Sequence, residues 1–258
     1  MKMTGNTILI TGGGSGIGRA LAEALHKLGN RVIISGRRKD ALDAVTGANP
    51  GMSSEVVDLQ DAADIKRFAA KILTDHPTLN LLVNNAGIMQ KENVLEPRVQ
   101  VVETTVATNL VAPILLTAAL LPHLTAQPAA AVMTVSSGLA FLPLAATPTY
   151  CATKAAIHSY TQSLRHQLRD TNVQVLELVP PYVQTELMGP GQASDPHAMP
   201  LDEFIAEVVD ILTTQPEASE ICVKRVYPLR FAAEKGQAAY EAQFRGFNGS
   251  AASGVSGH

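Results

Sequence analysis

Short runs of apolar residues alternate along this chain with longer segments in which apolar residues recur every three to four positions. This is the pattern of buried strands joined by amphipathic helices. Asn6 to Ile10 (NTILI) is the first such run; a glycine cluster follows it, and then RALAEALHKLG with helical spacing. Arg31 to Ser35 (RVIIS), Glu55 to Leu59 (EVVDL), Asn80 to Val83, Ala130 to Ser136 (AAVMTVS) and Val173 to Val179 repeat the strand pattern, and Glu220 to Val223 reads as an edge strand. Helices are predicted over Asp61 to Thr74, with Asp61 placed to cap the first turn, and over Pro97 to Leu124, Thr149 to Arg169, Leu201 to Thr213 and Pro228 to Phe244. Glu186 to Pro200 is rich in small residues and weakly patterned, as expected of a mobile flap. Gly246 to His258, small and polar, is expected to be a disordered tail.

Strands that are apolar throughout, joined by helix-length connections, need cover on both faces. The predicted fold is therefore α/β: a single Rossmann-type doubly wound parallel sheet of about seven strands with helices on both faces, spanning residues 1–245. Ligands in such sheets bind at the carboxyl ends of the strands, and Gly12, Gly36, Asp58, Asn84 and Ser137 all fall at such ends.

Candidate chemistry sharpens that picture. Thr11 to Gly18 (TGGGSGIG) lies between the first strand and the first helix, where glycines allow positive φ and let helix N-terminal amides meet a pyrophosphate. After the second strand, a dinucleotide fold places the adenosine ribose, and an acidic residue there would bind its 2′-hydroxyl. This chain instead has Ser-Gly-Arg37-Arg38, and two guanidiniums suit a 2′-phosphate. Asp58 is positioned to accept from an adenine amino group or to cap the next helix, and Asn84-Asn85-Ala86-Gly87 permits close backbone approach to a ligand. If the chain is helical from Thr149, Tyr150 and Lys154 share one helix face four residues apart. A phenol near a fixed cation ionises more easily and can exchange a proton with a carbonyl or alcohol oxygen. Ser137 precedes a Gly/Pro-containing stretch and is placed to donate to that same oxygen. Asn109 lies inside a long apolar helix pattern, and Pro113 after it frees a carbonyl in the preceding turn.

Composition excludes more than it assigns. The chain has 258 residues, 46% of them hydrophobic, and a net charge of -3 with scattered Lys and Arg, so no basic field marks it for nucleic acid. Cys151 and Cys222 match no zinc or redox spacing, and no metal is expected. The longest apolar runs, such as Leu110 to Leu121, are interrupted by Pro113 and by polar residues, so no membrane span is expected and the cytoplasm is the anticipated compartment.

With TGGGSGIG at 11 to 18, Asp58, NNAG at 84 to 87, Asn109, Ser137, YCATK at 150 to 154 and the Val183 to Thr185 loop in that order, the chain resembles the short-chain dehydrogenase/reductase family over roughly residues 5 to 225. The resemblance implies hydride transfer between NADP(H), with NAD possible, and a carbonyl or secondary alcohol. It implies Tyr150 as general acid/base, Ser137 orienting the substrate oxygen, Lys154 binding the nicotinamide ribose and lowering the phenol pKa, and Asn109 holding a water in a proton relay. For the cofactor it implies Gly12, Ser15, Gly16, Ile17 and Gly18 at the pyrophosphate, Arg37 and Arg38 at the 2′-phosphate, Asp58 at adenine, Asn85 near a ribose, and Val183 and Thr185 at the carboxamide. Ser137 rather than Ser136 is assigned by its spacing of thirteen residues from Tyr150. Two positions depart from the family pattern: Ser15 stands where many NADP-preferring relatives have a basic residue, and Pro181 replaces a common glycine. Met89, Leu139, Phe141, Tyr182, Leu187 and Met188 are candidates for an apolar substrate pocket. The helices over 97 to 124 and 149 to 169 carry apolar residues beyond one stripe, which fits a homodimer or homotetramer. A non-catalytic nucleotide sensor or scaffold is the alternative; its mark would be loss of Ser137, Tyr150 or Lys154, and all three are present.

Overall fold

The computed structural model describes residues 2–252. The apolar runs become strands, except that the third lies earlier than the expected Glu55 to Leu59, at the more polar Ser53–Val56: β1 (Thr7–Thr11), β2 (Arg31–Gly36), β3 (Ser53–Val56), β4 (Leu81–Asn84), β5 (Ala130–Val135), β6 (Val173–Val179) and β7 (Glu220–Cys222). They form one sheet in the order β3-β2-β1-β4-β5-β6-β7, and every neighbouring pair is parallel. The chain winds outward from β1 to β3, then returns to begin β4 on the other side of β1. That reversal opens a crevice at the carboxyl ends of β1 and β4, the usual ligand position in such sheets.

The helices cover both faces, as a sheet with apolar strands requires. On one face α1 (Gly16–Lys27), α2 (Lys39–Ala48) and α8 (Leu201–Thr214) bury Leu21, Leu25, Val45, Phe204 and Val208 against β1, β2 and β5. On the other, α3 (Ala62–Asp75), α5 (Ala112–Ala126) and α6 (Pro148–Gln167) bury Phe68, Ile72, Leu116, Leu120 and Leu164. Asp61 caps α3 as expected, its side chain accepting from the Ala63 N–H.

The segment expected to be one helix from Pro97 to Leu124 is divided. α4 (Val99–Val106) passes into a π-helical turn over Ala107–Val111 before α5 begins. Pro113 has no N–H, so the Asn109 carbonyl lacks a donor four residues on, and the ladder widens there. By length and composition the run Val99–Ala126 could cross a membrane; here Leu116, Leu120 and Leu124 are spent on the α3 side of the core.

The carboxyl-terminal third also departs from expectation. Pro228 to Phe244 is not one helix but α9 (Tyr227–Arg230), a 3-10 turn and then α10 (Gln237–Ala252), separated at Gly236 with φ +89°. The domain boundary expected at 245 is too early, because α10 continues to Ala252. Asn248 holds it down: Oδ1 accepts from the Ala145 N–H at 2.6 Å and Nδ2 donates to the Pro143 carbonyl at 3.1 Å. The rest of the expected tail, 253–258, lies outside the described residues. Glu186 to Pro200 contains the single-turn helix α7 (Pro190–Ala193) and rejoins the fold through a parallel bridge between Val183 and Met199.

Candidate active site

The site begins with how α6 is started. Pro148 occupies its first turn, and the Glu92 carboxylate receives the Thr149 N–H at 3.0 Å and the Thr149 hydroxyl at 2.7 Å. A carboxylate at a helix N-terminus stabilises it and here sets the position of the next residue, Tyr150. Tyr150 and Lys154 then project four residues apart and are 6% and 4% exposed. The Lys154 ammonium lies 5.6 Å from the Tyr150 ring centroid and donates to the Val135 carbonyl at the end of β5, 2.8 Å away.

Ser137 arrives from β5 and caps a 3-10 turn, its Oγ accepting from the Leu139 N–H at 3.1 Å. The hydroxyl hydrogen therefore remains free to donate. The turn is clamped from behind: a Cβ on Gly138 would lie 2.8 Å from Leu229 and from Val226, and the Gly138 N–H donates to the Pro180 carbonyl. Ser136 aims its hydroxyl at the Leu178 carbonyl in the sheet, 3.5 Å away, so the adjacent serine is a sheet residue.

Burial dominates the electrostatics. It pushes the Tyr150 phenol up to about 12, with the nearby Ser137 side chain acting in the opposite direction. It pushes Lys154 down to about 8, opposed by the Glu177 carboxylate. The expectation that Lys154 acidifies the phenol is thus not met by the protein alone, because desolvation of two buried groups outweighs an ammonium placed over the ring.

Asn109 lies in the π-helical turn beside Lys154: a Cβ on Gly87 would be 3.4 Å from Asn109 Oδ1 and 3.7 Å from Lys154 Nζ. Its side chain is committed, accepting from the Ile88 N–H and donating to the Ile88 carbonyl, each at 2.9 Å, and to Thr153 Oγ1 at 3.3 Å. Pro113, without an N–H, cannot donate to the Asn109 main-chain carbonyl in α-helical register.

The second half of the site is the glycine turn. Gly12 (φ +69°) and Gly16 (φ +53°) require left-handed backbone, and Gly18 requires space: a Cβ there would lie 2.3 Å from Asn85 Nδ2 and 2.4 Å from the Gly12 carbonyl. Asn85 proves to be a brace, its Nδ2 donating to the Thr11 carbonyl at 2.8 Å and to the Gly12 carbonyl at 3.4 Å. Asn84 likewise turns inward, to Thr117 Oγ1 at 2.9 Å. Ser15 is the exposed N-cap of α1, and Ile17 packs partly onto the core. At the end of β2 both Arg37 and Arg38 are exposed, Arg38 reaching Ser15 Oγ at 3.5 Å. Asp58 is exposed beyond β3, with Oδ1 accepting from the Gln60 N–H at 3.0 Å. Val183 buries its side chain in the core, so only its backbone can meet a ligand, whereas Thr185 turns its methyl Cγ2 to the glycine turn, 3.5 Å from a Cβ placed on Gly16, and its Oγ1 accepts from Gln192 Nε2 at 3.1 Å. Backbone amides at a helix N-terminus, glycines that leave no room for side chains and two exposed guanidiniums fit a phosphorylated dinucleotide.

Of the pocket candidates, Met89, Leu139 and Met188 join Tyr150 and Cys151 in one apolar cluster, together with Leu144, which periodicity did not single out. Phe141 does not join it. Its ring stacks against His158 (4.6 Å between centroids) and under the Arg230 guanidinium (4.4 Å), beside the buried His158–Glu177 pair at 2.8 Å. Tyr182 and Leu187 are exposed, and the Tyr182 hydroxyl binds Asp195 at 3.0 Å. Glu92, His158 and Glu177 lay hidden because each acts on a residue distant in sequence.

Residues 6–195 match the model of the short chain dehydrogenase family. The chain is 48% identical over 190 residues to the uncharacterised oxidoreductase DltE of Bacillus subtilis (strain 168), spanning 72% of this chain and 75% of that one. It is also similar in structure to a short chain dehydrogenase from Burkholderia cenocepacia J2315 in complex with NADP (TM-score 0.81, 24% identity, 95% of this chain and 99% of that one). A short-chain dehydrogenase from Sphingobium yanoikuyae in complex with NADPH gives a TM-score of 0.76 at 26% identity, covering 93% of this chain and 94% of that one.

Proposed function

This chain belongs to the short-chain dehydrogenase family, and from that premise we propose that it is an NADP(H)-preferring oxidoreductase acting on a ketone, aldehyde or secondary alcohol. The observation that carries this reading is the convergence of buried Ser137, Tyr150 and Lys154 at the carboxyl end of β5, in a sheet whose first strand ends in the glycine turn.

The cofactor, when bound, supplies or accepts the hydride and brings a positive ring in its oxidised form. Gly12, Gly16 and Gly18 shape the turn that receives its phosphates, with Ser15 at the mouth of α1 and Ile17 anchoring the helix below. Arg37 and Arg38 receive a 2′-phosphate, which is why NADP(H) is favoured and NAD(H) remains usable; the NADPH-bound relative from Sphingobium yanoikuyae supports the assignment. Asp58 meets the adenine edge.

At the reacting end the Ser137 hydroxyl donates to the substrate oxygen and fixes its direction, since the serine's own oxygen is already held by the Leu139 N–H. Tyr150, neutral across the physiological range by virtue of its burial, is the proton donor in the reducing direction. Lys154, mostly charged at neutral pH, would bind the ribose hydroxyls and stabilise the phenolate left when Tyr150 gives up its proton. A water on the Asn109 carbonyl links Lys154 to solvent, with Asn85 holding the turn from beneath. Met89, Leu139 and Met188 make the walls apolar, so the substrate's carbon skeleton is apolar near its carbonyl.

Exposed apolar residues on α4 and the π-helical turn, Val99 at 65%, Val102 at 38% and Val111 at 43%, support a homo-oligomer; a cytoplasmic location is part of the proposed reading. The direct test follows NADPH absorbance with a panel of ketones. Turnover by the wild type that is abolished by Tyr150→Phe is expected; equal rates in both would discard the assigned acid.

A further inference from the structure

Glu177 of β6 and Glu220 of β7 are register partners on adjacent strands, and Glu177 is fully buried. Donor atoms of the two and of His158 lie within 4.8 Å of one another. Two carboxylates that close repel unless each is given its own donor, and each has one. His158 Nδ1 lies 3.0 Å and 2.8 Å from the Glu177 oxygens. Arg230 forks onto Glu220, with Nε at 2.7 Å and Nη2 at 3.1 Å, the pair only 18% and 21% exposed.

Both donors converge on Phe141, whose ring meets His158 at 4.6 Å and the Arg230 guanidinium at 4.4 Å. Phe141 ends the 3-10 turn that Ser137 begins, its N–H donating to the Gly138 carbonyl at 3.1 Å. The chain around Arg230 presses on the start of the same turn: a Cβ on Gly138 would lie 2.8 Å from both Val226 and Leu229. Ser137 Oγ is held inside that turn by the Leu139 N–H and its side chain reaches Tyr150, so the direction of the hydroxyl follows the turn as a body. Four residues of helix do not hold themselves in place. Arg230, the last residue of α9, ties that helix to β7.

We propose that Arg230 is a positioning residue for Ser137: its fork on Glu220 and its stack on Phe141 lock α9 and the Ser137 turn to the edge of the sheet. This deepens the functional reading above and rests on it.

The test uses Arg230→Met in the full chain, which keeps an unbranched apolar stem and removes the fork. Amide hydrogen exchange followed by mass spectrometry should speed up roughly tenfold over residues 137–142, with the glycine turn at 11–18 unchanged. With a ketone substrate, kcat should fall roughly 5- to 50-fold, while NADPH affinity by calorimetry stays within about twofold. In a Ser137→Ala background the same substitution should lower kcat by less than about twofold, because the group it positions is already gone. Leu229→Ala, which loosens the contact at Gly138 without touching a charge, should give the same pattern more weakly, and it carries the test if thermal unfolding shows that Arg230→Met does not fold. A full further loss of kcat in the Ser137→Ala background, or exchange that quickens equally along the whole chain, would make the ion pair a matter of general stability. Unchanged exchange over 137–142 would show the turn held without it. Each overturns the proposal. A wild type without turnover on any ketone would remove the functional reading, and the exchange rates of the turn would still decide the lock.

Discussion

The two ends of the ligand-binding edge are built on opposite physical terms. At the end proposed for the reaction, Ser137, Tyr150 and Lys154 are nearly dry, and burial shifts the proton affinities of Tyr150 and Lys154. At the end proposed for the adenosine, Arg37, Arg38, Ser15 and Asp58 face solvent. What this teaches is a division of labour: the buried groups are set by the fold before any ligand arrives, while exposed Arg37, Arg38 and Asp58 would act, on the proposed reading, through charge on the ligand itself. Desolvated groups also shape the stability of the protein, and exposed arginines do not.

The sharpest way to break that contrast is Tyr150→Phe. Removing the hydroxyl should lower kcat roughly 10²- to 10⁴-fold, the usual worth of a positioned acid, with NADPH affinity measured by calorimetry nearly unchanged. A comparable fall in affinity would mean that the two ends are not separable.

Gly18→Ala comes next and tests the turn between them. Its Cβ has no space beside Asn85 and the Gly12 carbonyl, so a loss of about 1–3 kcal/mol in urea unfolding is expected. Gly14→Ala, whose Cβ would meet the Ala41 Cβ at an ordinary 3.4 Å, should be much milder.

At the exposed end, Arg37→Asp should weaken NADPH roughly 10- to 100-fold, the worth of a charge-assisted hydrogen bond, and NADH far less. Unfolding stability should be unaltered. An unchanged cofactor ratio in paired titrations would reduce the arginine to a solvated turn.

The last test is the pH dependence of stability. Lys154 titrates near 8 in the folded chain against an ordinary 10.5, so the unfolded chain binds more protons between those values and stability should rise with pH across them. Tyr150, near 12 against 10.0, has the opposite sign, and stability should fall as pH passes from 10.0 to 12. Lys154→Met should flatten the rise and Tyr150→Phe the fall, in melting curves taken across that range. Arg37→Asp should leave both slopes in place.

Much of this molecule was legible without coordinates, because strands buried on both faces must be apolar at nearly every position and the links between them must be long enough for a helix. Periodicity alone yielded the seven strands, and the glycine cluster yielded the turn, since Gly12 and Gly16 adopt φ values that other residues avoid. The spacing of Tyr150 and Lys154 placed both on one face of α6 for the same local reason. What folding alone decided is everything that depends on partners remote in the chain. The Asn85 side chain became a brace for the glycine turn, because β1 and β4 lie side by side; α10 ran past its expected end, because Asn248 found the loop at Pro143 to Ala145. The proton affinities of Tyr150 and Lys154 belong to this second class. Neighbouring charge can be read from spacing, but the loss of water around a group follows only from how the whole chain closes over it.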